Sequence, residues 1–173
     1  MKKNFIESST NLIVKKLTKL RKDNSHNNQT ALILGRKLIF DLSKVLKPTL
    51  LILNSSFEQN LPSELKNLNC EIFFTKQKIL NKISGQEHSD GFIGEFEIPK
   101  KIENKKKIKK MIIIDKIQNP GNLGTIFRTA SAFNFDFIFL LESTVNILNE
   151  KCIRSSQGSS ILLNSSNYIL ISG

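Results

Sequence analysis

The chain has 173 residues, 39% hydrophobic and 24% charged, the make-up of one or two small globular domains. No apolar run approaches the roughly eighteen residues of a membrane span, and two cysteines, Cys70 and Cys152, are too few for a disulfide framework or a cysteine-rich zinc site. The net charge of +11 falls entirely within residues 1–110, where 22 basic side chains meet 11 acidic ones, while residues 111–173 balance four against four. This split argues for two units with different tasks, and the basic one suits a polyanionic partner such as nucleic acid. AT-rich coding also raises lysine, isoleucine and asparagine, so the four arginines (Arg21, Arg36, Arg128 and Arg154) are the more informative cations. The opening MKKNFIESSTN has no apolar stretch of the secretory kind.

In chain order, the apolar spacing of Leu12, Ile13, Leu17 and Leu20 predicts a helix over about 9–22 with one apolar and one basic face. Thr30–Leu34 reads as a short strand, and Arg36–Leu46 as a helix closed by Pro48. Leu50–Leu53 and Glu71–Phe74 are further strands, separated by a short helix over Pro62–Leu68. A helical stretch follows at Lys76–Ile83. Gly91–Ile98 then ends the unit as a strand with Phe92, Phe96 and Ile98 on one face. Alternation of strands and helices argues an α/β layer. The lysine-rich segment Pro99–Lys110 reads as a solvated linker, compatible with one that also tracks a phosphate backbone.

The second unit opens on Met111–Asp115 (MIIID), an apolar run ending in an acid, as in a buried parallel strand whose carboxyl end faces a site. The turn-rich loop Lys116–Gly124 (KIQNPGNLG) follows, its part Asn119–Gly124 lying where the strand hands over to a helix. Its glycines and the start of the next helix could approach an anion, or they serve local turn chemistry alone. It matches neither the dinucleotide nor the P-loop glycine pattern. Leu123, Ile126, Phe127, Ala130 and Phe133 then follow at helical spacing, with Arg128 nearly opposite them beside Thr125. Phe135–Leu141 is a second strand, making 111–141 a βαβ unit. Farther on, Lys151, Arg154 and Ser156 combine cations and a hydroxyl suited to phosphate or ribose, or else mark a helix end with a polar cap. The cysteines read as small core residues, and His26 and His88 sit in separate polar loops without a ligand-spaced partner.

Taken together, IIIDKIQNPGNLGTIFRTASAFNFDFIFLL and KCIRSSQGS resemble the SpoU/TrmH family of RNA ribose 2'-O-methyltransferases, of the SPOUT class. The family's first motif is similar to DPxNxGxIxRTA, which here places Asn122 and Arg128, with Asn119 where aspartate is common. The N-terminal SSTNLIVKKLTKLRKD and ALILGRKLIFDL also resemble the family, Leu34 standing where an acid often precedes the glycine.

The resemblance implies an α/β fold in three parts. Residues 1–98 would form an RNA-binding domain similar to a small ribosomal protein, 99–110 a linker, and 111–173 the first part of a trefoil-knot methyltransferase domain. It implies methyl transfer from S-adenosylmethionine to a ribose 2'-hydroxyl of tRNA or rRNA. Arg128 and Asn122 are the expected catalytic pair. A guanidinium is a poor base, so stabilising the developing 2'-oxyanion is the role its chemistry fits. Lys151, Arg154 and Ser156 are the expected substrate contacts of the second unit, with Lys15, Lys19 and Arg36 those of the first. The family's second and third motifs, similar to GNEGxG and SLNVSxA, do not occur in the 173 residues. The expectation is therefore that this chain holds no cofactor-binding residues, that it is incompetent alone, and that the family's homodimer does not form from it. The alternative is a non-enzymatic RNA-binding remnant. No metal and no membrane are expected, and the address reads as a bacterial-like cytoplasm or an organelle.

Overall fold

The computed structural model describes residues 4–23, 28–99, 108–141 and 143–163, and the backbone of 170–171. The chain divides into two compact units at Glu97/Ile98.

The first unit runs β1 (Asn4–Ile6), α1 (Leu12–Lys22), β2 (Thr30–Leu34), α2 (Arg36–Leu42), β3 (Pro48–Asn54), α3 (Ser63–Lys66), β4 (Glu71–Thr75), α4 (Gln77–Ser84) and β5 (Phe92–Glu97). Its five strands lie in the order β1-β4-β3-β5-β2, with β5 antiparallel to both neighbours and the remaining pairings parallel. Successive side chains of a strand point to opposite faces, so each strand here feeds two cores. On one face Leu32, Leu50, Ile52 and Ile93 pack against Val14 and Leu17 of α1 and Ile79, Leu80 and Ile83 of α4. On the other, Phe92 meets Phe40 of α2 edge-on at 5.9 Å. Burying each such aliphatic or aromatic side chain contributes about 1.5–3 kcal/mol.

Three expectations shift here. The first helix starts at Leu12 rather than near residue 9, because Asn11 is its cap: the Asn11 side chain accepts the Ile13 N–H at 2.8 Å. The second helix ends at Leu42, and Pro48 opens the next strand instead of closing the helix. As the first residue of a strand, proline sacrifices no interior ladder bond. Ile98 lies beyond β5, so only Phe92 and Phe96 share the expected face. The three-residue β1 went unforeseen, being too short to show a period.

The second unit runs β6 (Met111–Ile114), α5 (Pro120–Ala132), β7 (Phe137–Leu141), α6 (Glu150–Ser155), α7 (Ser159–Leu162) and β8 (Leu170–Ile171). The strands are parallel in the order β6-β7-β8, and β6-α5-β7 is the expected βαβ unit. Ile114, Ile138 and Leu140 pack against Leu123, Phe127 and Ala130 of α5, with Cys152 of α6 joining them. The run MIIID is not buried on both faces as expected. Met111 is 46% and Ile113 60% exposed, because only the Ile112 and Ile114 side of β6 meets α5.

The expected linker falls largely on residues 100–107, outside the described residues. Among the described residues, no helix is long and apolar enough to cross a membrane.

Candidate functional site

The parallel strands of the second unit place their carboxyl ends along one edge, the usual ligand side of such sheets. After β6 the chain turns through Lys116, whose φ of 51° is left-handed, an uncommon state for a residue with a Cβ. The turn is tied to the segment after β7. The Val145 N–H donates to the Ile117 carbonyl at 2.9 Å, and the Gln118 amide donates to the Ser143 carbonyl.

Pro120–Gly124 is helix rather than loop. Asn119 caps α5, its side-chain oxygen accepting the N–H groups of Gly121 at 2.8 Å and Asn122 at 3.2 Å, and Pro120 takes the first helical position. The order Asn-Pro at a helix start was readable as this cap. Gly124 does not meet a ligand either. It is buried against α6, where a Cβ would overlap Ser155 Oγ, the Cys152 carbonyl and the Ser156 nitrogen. The glycine brings the two helices into close contact.

The outward face of α5 carries Asn122, Thr125, Arg128 and Thr129, all exposed. Residues three and four apart are neighbours on a helix surface. Thr125 Oγ1 donates back to the Gly121 carbonyl at 3.0 Å. Among the described residues, the Arg128 guanidinium has no hydrogen-bond or ion-pair partner. Asn122 and Arg128 are both on the exposed side of α5, six residues and about 120° apart around its axis.

The second cluster divides. Lys151 and Arg154 are exposed on α6, which Asn149 caps by accepting the Lys151 N–H at 2.9 Å. Ser156 is fully buried. Its hydroxyl donates to the Ile153 carbonyl at 2.9 Å and meets Ser160 Oγ at 3.1 Å. This corrects the expected phosphate or ribose contact: Ser156 closes the helix end and has no surface to offer. The chain leaves α6 through Gln157 and Gly158, both at positive φ. Burial pushes the Cys152 thiol up to about 12, which fits a core residue. One group escaped sequence reasoning altogether. Thr144, just after β7, is 7% exposed and its Oγ1 has no partner; no sequence pattern marks it.

In the first unit Lys15 and Lys19 are exposed on α1, whereas Arg36 lies across the sheet on α2. There its guanidinium stacks over Phe40 at 5.2 Å and Phe92 at 5.5 Å. These three cations do not form one cluster. Among the described residues no group of His, Cys, Asp or Glu is arranged to hold a metal.

Residues 109–168 match the model of the SpoU rRNA methylase family. That match falls within the second unit. The chain is 31% identical over 159 residues to the Bacillus subtilis 23S rRNA (guanosine(2553)-2'-O)-methyltransferase RlmP, covering 89% of this chain and 61% of that protein. It is 46% identical over 52 residues to the Synechocystis uncharacterized tRNA/rRNA methyltransferase slr1673, covering 30% of this chain and 19% of that one. In fold it is similar to an rRNA methyltransferase from Sinorhizobium meliloti, with a TM-score of 0.76 at 22% identity over 97% of this chain and 65% of that one. The AdoMet-bound form of that enzyme superposes at 0.74 with 22% identity, over 95% and 63% of the two chains. The chain therefore spans about three fifths of the length of RlmP and under two thirds of these structures. The SpoU match holds the βαβ unit, the Asn119 cap and the exposed side of α5 bearing Asn122 and Arg128.

Proposed function

We propose that the chain takes part in S-adenosylmethionine-dependent methylation of a ribose 2'-hydroxyl in tRNA or rRNA, with Arg128 at the reacting oxygen. The observation that carries this reading is the unpartnered Arg128 guanidinium on the exposed side of α5, the side that also carries Asn122, within the residues that match the SpoU model. A guanidinium placed where an oxyanion develops stabilises it without giving up its own proton. Asn122, one to two turns away, offers a donor and an acceptor for ribose or backbone. Lys151 and Arg154 supply phosphate contacts, and the basic first unit holds the rest of the RNA.

S-adenosylmethionine supplies, when bound, a methyl group on a good sulfonium leaving group. The described residues fit such a ligand only in part. Thr144 Oγ1 is an unsatisfied hydroxyl at the carboxyl edge, while the family's two cofactor patterns do not stand in the sequence. The residues of this chain are accordingly assigned to the RNA.

A second reading, RNA binding without transfer, is favoured by the location of the whole +11 excess in residues 1–110. One experiment separates the two. The chain is incubated with tritiated S-adenosylmethionine and ribosomal or transfer RNA, and the RNA is digested with alkali, which spares bonds beside a 2'-O-methyl group. Label in alkali-resistant dinucleotides, reduced about 100-fold or more in Arg128→Ala, supports transfer. Such label also overturns the expectation that the chain is incompetent alone, whereas RNA binding that Arg128→Ala leaves unchanged, with no transferred label, overturns the role of Arg128 in favour of the second reading.

A further inference from the structure

Resting on the RNA-binding reading of the first unit, we propose that the outer surface formed jointly by α1 and α4 is the docking surface for the phosphate backbone of double-helical RNA. The two helices pack side by side on one face of the five-stranded sheet, through Val14 and Leu17 on α1 and Ile79, Leu80 and Ile83 on α4. What they turn outward has one sign. Helix α1 turns out Lys15, Lys16, Lys19 and Lys22, helix α4 turns out Lys78 and Lys82, and neither contains an aspartate or glutamate. The acids nearby in sequence, Glu7, Asp23 and Glu87, stand in the loops at the helix ends.

These cations are largely uncommitted. Among the described residues the ion pairs are Lys16–Glu95 at 2.7 Å and Lys44–Asp41 at 3.1 Å. Lys15, Lys19, Lys22, Lys78 and Lys82 are exposed and have no carboxylate partner. Lys82 reaches across to the Ser9 carbonyl just before α1 at 3.1 Å, and a Cβ on Gly85 after α4 would strike the Arg21 guanidinium, so the two basic helices form one continuous surface. Helix α2 on the opposite face is mixed, with Arg36 and Lys37 against Asp41. A codon bias toward lysine acts on both layers alike and does not explain the contrast.

The chemistry of the surface selects among polyanions. Neither helix has an aromatic residue, so there is no platform on which unpaired bases could stack. A duplex read by its phosphates and shape needs none. A lipid surface suits it less well, because the apolar sector of α1 is spent on the sheet, leaving only Leu12 widely exposed.

The test uses the full chain and a fluorescein-labelled RNA duplex of about 20 base pairs, slightly longer than the span of a duplex-binding domain, with anisotropy read across a salt series. The variant K15A/K19A/K78A/K82A is compared with K37A/K66A, which removes charge elsewhere on the unit. Equal urea midpoints for the variants and the unaltered chain confirm that folding is intact. The proposal expects the quadruple variant to lose affinity about 100-fold or more at low salt. The slope of log affinity against log salt should flatten by about three to four, with K37A/K66A changing affinity less than about threefold. Equal losses in both variants, or tighter binding to phosphatidylserine vesicles than to the duplex, overturn the α1/α4 assignment while the RNA-binding reading stands. No salt-sensitive RNA binding by the unaltered chain overturns that reading as well.

Discussion

Asp136 and Lys110 are joined by a reciprocal pair of bonds: the Lys110 N–H donates to Asp136 Oδ2 at 2.9 Å, and the Asp136 N–H donates to the Lys110 carbonyl at 3.0 Å. A third bond, from the Lys109 N–H at 2.9 Å, shares the same carboxylate oxygen. The start of β6 is thereby fastened to the start of β7. The main-chain donors of Lys110 and Lys109 hold the Asp136 carboxyl below its ordinary value.

The sign of the pH effect follows. Because the folded chain holds this proton less tightly than the unfolded one, the stabilisation is present above the ordinary aspartate value of about 3.9 and is lost as pH falls through the lowered one. Asp136→Asn keeps an acceptor but abolishes that titration. Urea midpoints measured at neutral pH and again below about pH 4 should differ less in the variant than in the unaltered chain. An identical acid loss in both would show that the carboxylate contributes nothing.

Gly124→Ala offers a test of the α5–α6 contact. Alanine is the better helix former by about 1 kcal/mol, yet two of the three atoms its Cβ meets belong to the α6 backbone. They cannot rotate aside as a side chain would. A net loss of about 1–3 kcal/mol is expected from urea denaturation, and a stabilised variant would show that the helices are not held as closely as described.

Glu95 is 1% exposed in the middle of the sheet, where it accepts from Lys16 Nζ at 2.7 Å and Thr30 Oγ1 at 2.9 Å. Lys16 itself is 59% exposed, so solvent screens part of the attraction. Lys16→Ala strands a buried carboxylate on one hydroxyl and should cost about 1–3 kcal/mol. In a Glu95→Gln background, where no charge is left to strand, the same lysine substitution should cost less than about 0.5 kcal/mol. Equal costs in both backgrounds would remove the pair from the account of the core.

Thiol chemistry gives a check that needs no substitution. With burial raising Cys152 to about 12 and raising half-buried Cys70 as well, neither should react readily with Ellman's reagent in the native chain at about pH 8, where an ordinary thiol is partly ionised. Both should react at once in concentrated guanidinium. Rapid native labelling of Cys152 would place it at the surface.

Residues with a clear period disclosed the most. The unbroken apolar run Leu50–Leu53 marked a strand buried on both faces, and the spacing of Leu12–Leu20 and Leu123–Ala130 located helices, because burial acts directly on such patterns. The exposure of Arg128, opposite the apolar sector of α5 and near Thr125, was legible for the same reason. Asn119–Gly124 was misread as a loop because its asparagines and glycines suit turns, although the order Asn119-Pro120 before an apolar helical spacing also marks a helix cap. Ser156 looked like a contact residue because a hydroxyl just after two cations resembles a phosphate site. Its burial depends on Ser160 and on the packing of α6, which no local pattern encodes. The exposure of Met111 and Ile113 depends on which neighbours cover a strand, and that too is a property of the assembled sheet.

The antiparallel strand β5 lies between β3 and β2, and it is the last strand of its unit in the chain. Until it arrives, β2 has no partner, since it borders no other strand. During synthesis the unit therefore waits, unclosed, for its keystone, with contacts that span more than sixty residues from Thr30 to Glu97. Trimming the chain from the linker back to Gly91 would not shorten the unit by a strand. It would break the sheet in two, cast β2 adrift, and leave Lys16 with no carboxylate beneath it.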